Sequence, residues 1–248
     1  MNPQPMDSLR RALDLCAAKA APAQFWLRDD DAVEPSAALD RMLRLTAHHA
    51  VPCTLAVIPA FTGAALAAAL RPCPQISVAV HGWSHRSYAG QGQKNQELGN
   101  HRPRDAVLDQ LGQGFDLLKS LYGAQFLPVL VPPWNRIDAG LLPGLGALGF
   151  GLLSVFGPET PAPIRQINAD VDLIDWRGSR ATKPEAQLVA EIIARIPAGD
   201  MAGRMGFLTH HLVHDAAGWL FLEKLFAATA GHPGCHWQPL AALMQKTP

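Results

Sequence analysis

A single α/β domain built as a closed or nearly closed parallel barrel is the fold class that this 248-residue sequence predicts. Three observations carry that expectation. Short apolar runs alternate with helical patterns, the signature of βα units and a mostly parallel sheet. No internal repeat, low-complexity tract or linker divides the chain, and 48% apolar residues are enough for one continuous core. Polar clusters gather just past the strand-like runs, at the end of a barrel where chemistry is usually carried.

Residues 1–22 read as an N-terminal extension to one domain spanning 1–248. The expected strands are 24–29, 52–58, 76–80, 126–131, 151–155, 168–174 and 206–211, with a short addition at 235–238. The expected helices are 35–49, 62–70, 104–121, 138–148, 184–196 and 215–229. Helix 104–121 stops at Tyr122-Gly123, and Pro184 and Pro197 bound the helix between them. The one long irregular stretch, 86–103, is rich in Gly, Gln and Asn; loops of that length are usually functional or mobile, and this one leaves from a pair of histidines.

Formal net charge is zero and 17% of residues are charged, so no basic patch points to nucleic acid and no nucleic-acid partner is expected. No apolar run is long enough to cross a bilayer, and Met1-Asn2-Pro3-Gln4-Pro5 lacks a positive stretch followed by an apolar one. A cytoplasmic protein with no membrane partner is the expectation; the oligomeric state stays open. Cys16, Cys53, Cys73 and Cys235 form no Cys-x-x-Cys pair and are expected as free thiols.

The chemistry concentrates in Val80-His81-Gly82-Trp83-Ser84-His85. On a helical turn this spacing puts both imidazoles on one side, roughly 5–6 Å apart at Cβ. A catalytic zinc takes three protein ligands and keeps one position open for water. Asp29-Asp30-Asp31, which follows Phe25-Trp26-Leu27-Arg28, offers the third. Each feature alone has a bland reading: paired histidines are common on helices, and aspartate runs are common as solvated turns or helix caps. Their joint placement past strand-like runs favours a metal. His48 and His49 read as a helix C-cap, His232 and His236 as turn residues, and His101 carries no assigned role. His210 and His211 point to opposite faces if both are extended, so at most one of them faces a given pocket.

The order of the motifs resembles the polysaccharide deacetylase family, also called carbohydrate esterase 4 or the chitooligosaccharide deacetylase homology family, from about Phe25 to the end of the chain. That family's first motif is a strand ending in Asp-Asp, matched by Leu27-Arg28-Asp29-Asp30; the second, His-x-x-x-His, by His81 to His85. The third is Arg-x-Pro followed by an aromatic, and here Val131-Pro132-Pro133-Trp134-Asn135-Arg136 carries Val131 in place of the arginine. The fourth, Asp-x-x-Asp-Trp, is similar to Asp172-Leu173-Ile174-Asp175-Trp176, and the fifth, Leu-x-His, to Leu208-Thr209-His210. Leu212-Val213-His214-Asp215 competes for that last match.

The resemblance implies a distorted (β/α)7 barrel of the polysaccharide-deacetylase type, TIM-barrel-like, in a divergent member. It implies Asp29 as catalytic base and Asp30, His81 and His85 as ligands of a divalent metal, Zn2+ or else Co2+ or Ni2+. Asp31 stands where the family carries glycine, so a one-residue shift of these roles stays open. The family arginine steadies the catalytic aspartate; Arg28 and Arg136 are the candidates to replace it. His210 is the implied general acid, oriented by Asp172 or Asp175. Pro133, Trp134, Asn135, Asp172, Asp175, Trp176 and His211 are expected to line the substrate pocket. The implied reaction is hydrolytic removal of an acyl group, N-acetyl foremost, from an oligosaccharide or another small-molecule amide. The alternative is a metal- or carbohydrate-binding protein on the same barrel without catalysis. Val131 speaks for that alternative, and the spare carboxylate beside a metal ligand speaks against it.

Overall fold

A computed structural model describes residues 4–196 and 204–245. In chain order it contains α1 (Pro5–Ala18), β1 (Ala23–Ala32), α2 (Ala37–His48), β2 (Cys53–Val57), α3 (Ala64–Leu70), β3 (Ile76–His81), α4 (Arg104–Tyr122) and β4 (Phe126–Val131). There follow α5 (Leu142–Leu145), β5 (Leu152–Leu153), β6 (Val171–Asp172), α6 (Glu185–Arg195), β7 (Arg204–Thr209), α7 (Ala216–Thr229), β8 (Cys235–Trp237) and α8 (Leu240–Gln245).

The strands pair in parallel in the order β5-β4-β3-β2-β1-β7-β6, and β8 pairs the start of β1. Single bridges from Leu153 to Gln166 and from Phe156 to Ala169 carry the sheet from β5 to the segment that runs into β6. The ring is thereby closed, as the distorted (β/α)7 barrel expected from sequence.

Strand alternation sorts the side chains into two layers. Trp26, Ala56, Ala79, Val129, Val131, Leu152 and Ile167 fill the barrel, and Leu240 and Leu243 of α8 pack against them. Phe25, Leu27, Leu55, Val78, Leu130 and Phe207 face outward and pack beneath the helices. Gly206 is required where it stands, because a Cβ there would lie 2.6 Å from the Trp26 ring.

Residues 5–18 are part of this body. Leu9 and Leu13 of α1 are fully buried. Each such side chain is worth roughly 1.5–3 kcal/mol of apolar transfer, which holds the helix to the barrel. The expected helix 138–148 breaks into short turns around α5. Gly140, Pro143, Gly144 and Gly146 explain this, since proline and glycine both disfavour a continuous helix. Helix 184–196 appears as α6, and its expected stop, Pro197, lies outside the described residues. The four cysteines are free, with Cys16, Cys53 and Cys235 buried.

Candidate functional site

β1 carries four charged residues in a row, and a bulge decides where they point. Asp29 pairs with Leu55 and Ala32 with Val57, so Asp30 and Asp31 together stand opposite Ala56. Asp31 takes a left-handed backbone with φ 73°. The extra residue breaks the two-residue period, which lets two successive carboxylates face the same cleft. Before the bulge the alternation is regular. Arg28 follows Trp26 toward the barrel interior, and Asp29 follows Leu27 outward.

Asp31 is therefore the carboxylate that meets the two histidines. Its Oδ1 lies 3.1 Å from His81 Nε2 and 3.3 Å from His85 Nε2. One donor atom from each of the three residues lies within 4.8 Å of the others. This corrects the expectation that Asp30 completes the set, because Asp30 is already engaged. Arg28 Nε lies 2.9 Å from Asp30 Oδ1, and Arg28 Nη2 donates to Asp30 Oδ2 at 3.1 Å. The guanidinium is fixed from behind by donating to the Ser154 carbonyl at 3.0 Å, the Ser154 hydroxyl at 2.9 Å and Asn135 Oδ1 at 2.7 Å. Arg28 thus sets a positive charge against Asp30 from two residues back on the same strand.

The donor set suits a divalent cation. His81 Nδ1 donates to the Val131 carbonyl at 2.9 Å, which turns Nε2 into the cluster, where it donates to Asp31 while protonated and would offer a lone pair to an ion once neutral. Burial alone would raise the Asp31 pKa, but the hydrogen bond and charge of His81, with His85 and His210, hold it well below the usual carboxylate range. The Asp31 carboxylate is ionised at any ordinary pH.

The turn bearing the histidines is not helical as expected. His81 ends β3, and Gly82 and His85 both have positive φ, 59° and 53°. Buried Glu97, from the long loop, holds this turn. Its carboxylate accepts from the backbone N–H of Trp83 at 3.3 Å, Ser84 at 2.7 Å and His85 at 3.1 Å, and from the Ser84 hydroxyl at 3.0 Å. The family's usual Ser or Thr at position 82 would not fit, because a Cβ there would lie 2.3 Å from Glu97 and 2.6 Å from Pro133. Sequence reasoning placed the 86–103 loop beside the site but missed Glu97. A lone acid in a Gly- and Gln-rich stretch gives no periodic signal.

Asp29 and His211 fall outside the cleft, contrary to the roles expected of them as base and substrate contact. Both are almost fully buried and form an ion pair with each other. Asp29 Oδ2 also accepts from the Thr209 hydroxyl at 2.6 Å and the His211 N–H at 2.9 Å. Burial raises the Asp29 pKa, but the charge and hydrogen bond of His211 more than offset it and the carboxyl is held down. Burial lowers the His211 pKa, and Asp29 reverses the sign and holds it up.

The cleft, of about 1030 Å³, collects Asp30, Asp31, His81, His85, Trp134, Asn135, Asp172, Asp175, Trp176 and His210. Trp134 stacks at a tilt 4.2 Å from His85. His210 meets the Trp176 ring edge-on at 4.9 Å, and its Nδ1 has no hydrogen-bond partner among the described residues. Asp172 shares this wall, but its oxygens accept from Ile174 N at 3.0 Å and Trp176 Nε1 at 2.9 Å and make no hydrogen bond to His210. Burial raises the Asp172 pKa. Asp175 is spent on the turn, accepting from Gly178 N at 3.0 Å and Ser179 N at 3.1 Å. Pro133 is buried over Gly82 and does not line the cleft, and Asn135 lines it while accepting from Arg28.

No protein-family profile matches the sequence, and no curated protein does. Solved structures do match it. A Mycobacterium smegmatis protein assigned as a polysaccharide deacetylase superposes with a TM-score of 0.69 at 13% identity, over 90% of this chain and 89% of the other. A Bacillus subtilis peptidoglycan deacetylase gives 0.60 at 16% identity, over 90% of each chain. A family 4 acetyl xylan esterase of Clostridium thermocellum, solved with a cobalt ion, gives 0.56 at 16% identity over 89% of each. The chain has the fold of these proteins, a distorted seven-stranded parallel barrel.

Proposed function

We propose that this protein is a divalent-metal-dependent deacetylase of the carbohydrate esterase 4 type, acting on an acylated carbohydrate. The observation that carries the reading is the Arg28–Asp30 pair beside the Asp31/His81/His85 cluster: one carboxylate for a metal and a second, separately oriented, for a proton. Asp31, His81 and His85 would hold the ion. When bound, such an ion lowers the pKa of a water to about 7 and polarises a carbonyl. Asp30, aimed into the cleft by Arg28, takes the proton from the attacking water. The Trp134 N–H is free for the developing oxyanion, since the next two amides of its turn donate to Pro132 and Pro133 and it has no partner among the described residues. His210 then gives a proton to the leaving amine as the carbon–nitrogen bond breaks. The exposed rings of Trp176 (43%) and Phe156 (41%) in the same cleft suit the apolar face of a sugar. Arg28 at Asp30 weighs against the alternative of a binding protein without turnover, because it restores the charge lost at Val131.

The test is a pair of variants. Asp31→Asn is expected to lose bound metal. Asp30→Asn is expected to keep its metal while turnover of an acetylated sugar falls by about 10²–10⁴-fold, the usual contribution of a positioned base. Metal lost from Asp30→Asn and kept in Asp31→Asn would reverse the two roles. A metal-loaded protein inert toward every acetylated sugar tried would favour the binding-protein alternative.

A further inference from the structure

We propose that the cleft selects an anionic carbohydrate, one bearing a carboxylate or phosphate group in addition to its acylated amine. The inference rests on the deacetylase reading of the site and adds the substrate class. The chain has no net charge, yet Lys94, Arg136, Arg177 and Arg180 all line this one cleft. Among the described residues none of the four has an ion-pair partner. The fifth cation of the lining, Lys183, is paired with Glu191 at 3.0 Å and is thereby occupied.

The carboxylates of the lining do not cancel these charges. Asp30 is held by Arg28, Asp31 by the two histidines, and both oxygens of Asp175 by backbone N–H groups. Asp172 is engaged by Ile174 and Trp176. The floor of the site is neutralised from within while the rim carries unspent positive charge. A concave surface lined by one sign of charge focuses its field on an incoming ligand.

The cations sit on shaped loops. Arg177 and Arg180 lie on the tight turn that Asp175 organises, closed by an antiparallel bridge between Ile174 and Thr182. That turn also carries Trp176, whose indole N–H is pinned to Asp172 and whose ring is exposed. Arg136 donates to the Asn95 carbonyl at 2.7 Å and so ties the loop of Lys94 to the end of β4. An aromatic platform flanked by guanidinium groups recognises a sugar face and an acidic substituent together.

The experiment compares kcat/KM of the metal-loaded protein on acetylated amino sugars of three kinds: neutral oligomers, carboxylate-bearing and phosphate-bearing. Binding of the same sugars is read in parallel from tryptophan fluorescence. The anionic sugars are expected to be preferred, the preference weakening as salt rises. In Arg177→Gln/Arg180→Gln the anionic-to-neutral ratio is expected to fall roughly ten-fold, from up to about five-fold for each rim-exposed charge. Lys94→Gln/Arg136→Gln checks the other loop, and the arm that responds more strongly separates carboxylate from phosphate. Turnover with neutral sugars preferred, or a ratio unmoved in both variants, overturns the inference and leaves the deacetylase reading intact. No turnover, with anion-selective binding that the variants abolish, upholds the inference and overturns that reading. Neither turnover nor selective binding overturns both.

Discussion

Asp29 and His211 lie at full burial, and each keeps the charge of the other tolerable. Removing one member of such a pair leaves an unpaired charge in an apolar layer, which costs about 3–5 kcal/mol. His211→Ala is expected to lower the unfolding free energy by about that amount in a denaturant titration. The double change Asp29→Asn/His211→Gln, which removes both charges, should recover part of the loss. Were Asp29 the catalytic base, Asp29→Asn would instead abolish turnover at near-normal stability. The sequence made three adjacent aspartates legible as a site but not their directions. A period of two puts Asp29 and Asp31 on one face and Asp30 on the other, and the bulge overrides it. Nothing in the residue types announces a bulge, and charge alone left Arg28 and Arg136 as equal candidates until the contacts of Arg28 with Asp30 separated them.

Among the elements, the turn after β3 depends on a loop that contributes none of the three proposed metal ligands, Asp31, His81 and His85. Glu97 satisfies three successive backbone N–H groups of the segment that presents His85. Glu97→Ala releases that turn, and metal affinity is expected to fall about 10–100-fold, the usual cost of losing a partner that orients a ligand. Competition against a chromogenic chelator measures this, and Glu97→Gln should lose less. Unchanged affinity in Glu97→Ala would show the turn to be held by its own packing. Most strands and long helices were legible because their apolar periods are clean, as in 126–131. α1 was missed as an element although Met6, Leu9, Leu13 and Cys16 keep helical spacing, since a segment ahead of the first motif has no partner in the sequence to pack on. β5 and β6 shrink to two residues each because the ring closes there through single bridges, which periodicity does not register.

At the scale of the whole molecule, acid stability should bear the mark of His214. Burial, with the positive charges of His210 and His211, lowers its pKa to about 4 against the opposing pull of Asp29. An unfolded histidine titrates near 6.5, so between roughly pH 6.5 and 4 the unfolded chain binds more protons and stability falls as pH falls. The full loss is of the order of 3 kcal/mol. His214→Gln keeps a polar side chain without the titration, and its melting temperature is expected to drop less than wild type between pH 7 and pH 4.5. Parallel curves for the two proteins would refute the assignment. The Asp29–His211 pair has one more consequence, for how the chain reaches its native state. The partners are 182 residues apart, on the first strand of the ring and just past the last strand to join it. A partly assembled barrel that has recruited β2 to β4 but not β7 must bury a lone carboxylate or leave that side of β1 in water. Either penalty depopulates half-built forms, so the ring should assemble in one cooperative transition, with a single pair of charges reporting that the circle is complete.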